Sequence, residues 1–68
     1  MRMVVDFAER ASSLRKEGYQ ELFSATTPGG MFRKMKHFAN GNIVVLKCLG
    51  HVLIQTTNGK EVHRQTYE

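Results

Sequence analysis

NIVVLKCLGHVLIQTTNGKEVHRQTY, residues 42–67, is the stretch whose reading decides the fold. Val, Ile, Leu and Thr gather there in short blocks, separated by Leu49-Gly50 and Asn58-Gly59. Blocks of this length, rich in β-branched residues and bounded by turn residues, read as strands. Asn-Gly suits a two-residue hairpin loop, because such loops need positive φ at both central residues. Strands are therefore expected at about 42–48, 51–57 and 60–66.

Toward the N-terminus, Asn40-Gly41 and Thr27-Pro28-Gly29-Gly30 continue the same punctuation, which is that of a β-meander. Between them, segment 31–39 reads two ways. Met31, Phe32, Met35, Phe38 and Ala39 make a helical stripe, but two glycines in the would-be first turn and the Asn-Gly after Phe38 favour a strand. The strand is preferred. Tyr19 to Ala25 is a first strand or a short second helix.

Further out the period changes. Val4, Phe7, Ala8, Ala11 and Leu14 recur at spacings of three and four, opposite Asp6, Glu9, Arg10, Ser13 and Lys16. This is an amphipathic helix over about 4–17, with Arg15 and Lys16 at the negative end of its dipole and Gly18 free to turn left-handed beyond it. The expected fold is α+β: one N-terminal helix packed on an antiparallel β-meander of three to five strands.

With 68 residues there is room for a single small domain with a single core. Cores of this size supply only about 3–5 kcal/mol and are usually reinforced by disulfides, a metal or self-association. Cys48 is the only cysteine, and three dispersed histidines with it do not form a tetrahedral zinc set, so no metal or other cofactor is expected. Homo-oligomerisation is the reinforcement that remains. A charged N-terminal segment, the absence of a long apolar run, the lone thiol and the lack of a glycosylation sequon together predict a cytoplasmic protein without membrane association.

The charge is unevenly placed. The net charge is +4, and between Glu21 and Glu61 there is no acidic residue, whereas Arg33, Lys34, Lys36 and Lys47 all fall there. Two-residue hairpin loops would set Phe38 opposite Ile43, Lys36 opposite Val45, Lys34 opposite Lys47, Lys47 opposite Val52, and Ile54 opposite both Val45 and His63. One sheet face then carries Lys34, Lys36, Lys47 and His63 around Val45, Val52 and Ile54. Met35, Val44, Leu46, Leu53 and Val62 form the face left for the helix to cover.

Chemistry is sparse. The same register brings His51 to Cys48, a pairing that can activate a thiolate, but Cys48 between Leu46 and Leu49 reads as a small core residue. Gly29-Gly30 lacks the other glycines and the lysine of a phosphate loop. No carboxylate pair shares a cleft. Phe7, Phe23 and Phe38 are assigned to packing. Phe32 and Tyr67, with His37 and His63, are candidate contact residues beside the cations.

The order of helix, glycine, aromatic and basic meander resembles that of small double-stranded-RNA-binding-like toxins of toxin and antitoxin systems. Their Gly-Ser-His catalytic stretch has no counterpart at any position here, and no family is assigned. The expected function is a non-enzymatic nucleic-acid-binding module acting through Arg33, Lys34, Lys36 and Lys47. The alternative is a small protein-interaction adaptor or homodimeric regulatory protein, docking a partner or a second copy through a sheet edge or the Val45, Val52 and Ile54 surface.

Overall fold

The computed structural model describes residues 2–68 and shows helix α1 (Arg2–Lys16) followed by strands β1 (Tyr19–Thr27), β2 (Gly30–His37), β3 (Ile43–Leu49), β4 (Val52–Thr57) and β5 (Lys60–Thr66). The strands form one antiparallel sheet in the order β1-β2-β3-β4-β5, and α1 packs on one side of it, over β3, β1 and β4. Both segments that read two ways are strands, 19–25 throughout and 31–39 as far as His37.

Strand alternation divides the sheet into two unlike faces. Met35 of β2, Val44, Leu46 and Cys48 of β3, and Leu53 of β4 point toward α1, which answers with Met3, Phe7, Ala11 and Leu14. Met35, Leu46 and Leu53 are wholly removed from solvent, and burial of such a side chain contributes about 1.5–3 kcal/mol. Val4 and Ala8, part of the stripe expected to face the core, lie on the solvent side of the helix instead.

Two glycines hold the ends of this packing. Gly18 leaves the helix at φ 105°, and a Cβ there would stand 2.7 Å from the Nε2 atom of His37. At Gly30 a Cβ would come within 2.2 Å of the Cys48 carbonyl, so β2 begins where only glycine lets it approach β3.

The cross-strand register differs from the expected one in three places. After His37 the chain runs through residues 38–42, held by His37 N–H to the Asn42 carbonyl (2.9 Å) and Gly41 N–H to the His37 carbonyl (2.7 Å), so Lys36 faces Ile43 and Lys34 faces Val45. The β3–β4 loop is Gly50-His51, with Gly50 at φ 60°, which puts Leu49 opposite Val52 and Lys47 opposite Ile54. Both shifts are even, so every side chain keeps its face.

The third difference is odd. A β-bulge in β5 pairs Thr56 with Glu61 but Gln55 with His63, leaving Val62 without a partner. His63 therefore joins the helix side, Arg64 takes the place opposite Ile54, and Val62 leaves the core it was expected to fill and is exposed. A matching bulge in β1, between Glu21 and Phe23, leaves Leu22 unpaired.

Candidate functional site

The sheet face turned away from α1 is uncovered. Across it run Phe23 and Ala25 of β1, Phe32, Lys34 and Lys36 of β2, Ile43, Val45, Lys47 and Leu49 of β3, Val52 and Ile54 of β4, and Arg64 of β5, as the registers require. The aliphatic centre is not bare. Ile54, with Lys47 and Arg64 as cross-strand neighbours, is only 9% exposed, as expected where long cationic side chains lie with their stems on apolar surface.

Of the four cations singled out in the sequence, three share this face: Lys34, Lys36 and Lys47. They are not stacked as like-charged pairs. Lys34 faces Val45, Lys36 faces Ile43, and Lys47 faces Phe32 and Ile54, so each ammonium has an apolar residue across the ladder. Among the described residues, none of the ion pairs engages these lysines, whereas Arg64 is tied to Glu61 at 2.8 Å. Glu61, under the Arg64 hydrogen bond first and the nearby charges of Arg64 and Lys47 after it, holds its proton less tightly than an ordinary glutamate.

Arg33 is on the other face. One residue from Lys34, it turns toward the helix, sets its guanidinium carbon 5.6 Å from the centre of the Phe7 ring, and has its Nε atom 3.3 Å from Glu21, which also pairs with Arg15. His37 likewise serves the helix: its Nε2–H donates to the Glu17 carbonyl at 2.9 Å, and Tyr19 meets its ring edge-on. This hydrogen bond satisfies one of the carbonyls that a helix C-terminus leaves over.

His63 lies on the helix side beside Gln65, at 3.4 Å. Tyr67 is also on the helix side, where its hydroxyl donates to Asp6 at 2.5 Å. Partial burial, then the Asp6 hydrogen bond and charge, push the phenol up to about 12. Of the four candidate contact residues, only Phe32 is on the face with the lysines.

Two aromatics assigned to packing are on the surface. Phe23 stands opposite Lys34 and is 57% exposed, and Phe38, equally exposed, has the Lys36 ammonium 5.1 Å from its ring centre. Phe23 owes its place to the β1 bulge, since in an unbroken ladder Leu22 would pair with Lys34 and Phe23 would fall opposite Arg33, on the covered face. No local sequence signal marks that bulge.

Elsewhere the chemistry is closed. Cys48 is 2% exposed, its ladder partners are Met31 and Leu53 rather than His51, and burial pushes its thiol up, so the Cys-His arrangement does not form. Beside the helix a groove of about 450 Å³ is lined by Asp6, Glu9, Arg10, Glu17, Gln55 and Gln65. Three of its polar groups are already engaged: Arg10 donates to Gln55 at 2.9 Å, and Asp6 takes Arg2 as well as Tyr67. Among the described residues no three His, Cys, Asp or Glu side chains converge as a metal site, and no helix is long and apolar enough to cross a membrane.

No family model matches the chain, and comparison with curated proteins and with solved structures gives no match.

Proposed function

We propose that this chain is a non-enzymatic nucleic-acid-binding module that works through the open face of its sheet. The observation that carries the reading is the placement of Lys34, Lys36 and Lys47 on that face, free of the ion pairs that occupy Arg2, Arg15, Arg33 and Arg64. Unneutralised cations spread over an uncovered surface are what a phosphate backbone binds, by releasing its own counterions. Arg33 is left out of the binding surface, because its guanidinium is committed to Phe7 and Glu21. A reducing cytoplasm fits a chain whose one cysteine is free and buried.

The test is a salt titration of binding to short labelled nucleic acids. Three phosphate contacts give a log–log slope of about 3 on duplex DNA and about 2 on a single strand. Affinity no tighter than about 100 μM at low salt, weaker than ordinary non-specific association, would rule the reading out.

A second reading, a protein adaptor, is favoured by the apolar residues of this face, Ile43 and Val45 opposite Lys36 and Lys34 and the Leu49–Val52 pair beyond Lys47. A partner docked there would be lost with Val45→Asp and would respond little to the lysine changes. A second copy set face to face would oppose lysine to lysine, which costs free energy, so the adaptor reading requires an acidic partner.

A further inference from the structure

Resting on the nucleic-acid reading, we infer that the open face takes an unpaired strand rather than a duplex, with Phe23 and Phe38 as stacking platforms, each paired with a lysine. Phe23 is directly opposite Lys34, and Phe38 lies under the ammonium of Lys36. Both rings are more than half exposed and contribute little to the core. Between and beside them, Phe32, Ile43 and Val45 give a half-buried apolar floor on the same face.

The shape argues the same way. A duplex hides the faces of its bases and shows phosphates and sugars, and reading its base edges takes a helix or ribbon inserted in a groove about 12 Å wide. Here α1 is on the far side of the sheet, and the lysines stand in the body of the strands rather than at a hairpin tip. A duplex would meet the lysines and leave Phe23, Phe38 and the floor against its charged backbone. An unpaired strand has base faces to set on the rings while its phosphates reach the ammonium groups, and stacking of this kind tolerates any base. An acidic peptide would satisfy the lysines but leave both rings without a flat apolar partner.

The experiment is fluorescence anisotropy at low salt with a labelled oligothymidylate, an oligouridylate of the same length, and the thymidylate annealed to its oligoadenylate complement. Polyglutamate serves as unlabelled competitor. The unpaired strands are expected to bind about tenfold or more tighter than the duplex, because each stacked base contributes about that factor. Phe23→Ala with Phe38→Ala removes the preference and leaves duplex binding and the melting temperature unchanged, while Phe23→Tyr with Phe38→Tyr, which keeps both rings, retains it.

Duplex binding as tight as that of the unpaired strands overturns the inference but leaves the nucleic-acid reading in place. So does a preference that survives loss of both rings. Competition by polyglutamate equal, charge for charge, to that of the strand reduces the face to a general anion surface and overturns it too. Absence of binding to any nucleic acid tighter than about 100 μM removes both.

Discussion

Arg33 and Lys34 are neighbours in sequence and alike in charge, yet they belong to different molecules in all but name. Arg33 looks toward the helix, where an aromatic ring and a carboxylate hold it; Lys34 looks away, where its cross-strand neighbours are Phe23 and Val45. The same contrast runs the length of the sheet: the covered face is a closed set of contacts with α1, and the open face is apolar surface studded with uncommitted cations. One face holds the chain together, and the other is available. Composition alone cannot separate two such roles, because one-residue alternation mixes them along every strand.

The sharpest way to break this comparison is to cut the same element on each side. Leu46→Ala on the covered face should cost about 2–5 kcal/mol. That is comparable with the whole stability expected of so small a core, so the variant should be largely unfolded by far-ultraviolet circular dichroism. Val45→Ala, one residue away on the open face, should cost about 1 kcal/mol or less in urea unfolding. Equal losses would mean that something covers the open face in solution, and sedimentation would then show a second copy.

The next test sets the two cations against each other. Arg33→Ala should lower stability by about 1 kcal/mol through loss of the Phe7 and Glu21 contacts and leave the salt dependence of nucleic-acid binding unchanged. Lys34→Ala with Lys36→Ala should do the reverse, reducing the slope on duplex DNA by up to about 1.8 with no change in melting temperature. A slope that drops with Arg33 and not with the lysines would exchange the roles of the two faces.

A smaller effect is expected at the C-terminal anchor of the covered face. The folded chain holds the Tyr67 proton more tightly than the unfolded one, so the stability this group adds is complete below the ordinary tyrosine range near about 10. It is lost as pH rises through the folded value of about 12. Urea unfolding of wild type and Tyr67→Phe across that window should show the difference between them shrinking with pH. A constant difference would remove the Asp6 hydrogen bond from the account. The least effect of all is expected from chelator and reductant, which should leave the melting temperature of the wild type unmoved, since Cys48 has no second cysteine to pair with and no metal-ligand set converges among the described residues.

How far these faces were legible from sequence depends on which rule each segment obeys. The helix was readable because Phe7, Ala11 and Leu14 follow its period, and β3 to β5 because their blocks end in turn residues. The sharing of one face by Lys34, Lys36 and Lys47 was also readable, although their partners were misplaced, because the five-residue 38–42 connection and the Gly50-His51 turn moved the ladder by even steps. His63, Val62 and Phe23 were misread for one reason. Each lies at or just beyond a bulge, and neither Leu22 nor Val62 carries the glycine that sometimes betrays one. Tyr67 was misread differently: its partner Asp6 is 61 residues away, and no local pattern reports so distant a hydrogen bond.

The unpaired Leu22 has a consequence for how this protein can change over generations. Substituting any residue of β1 alters one side chain on one face, and deleting Leu22 itself lets Phe23 follow Glu21 directly, opposite Lys34, so every side chain keeps its face. Deleting the paired Ser24 is different: if Tyr19–Glu21 and Ala25–Thr27 keep their partners, Leu22 is drawn into the ladder opposite Lys34 and Phe23 turns over to the covered face, opposite Arg33. A single codon lost there would thus withdraw an exposed ring from the surface and offer it to the core. This mutational route trades recognition for stability in one step, and point mutation does not open it.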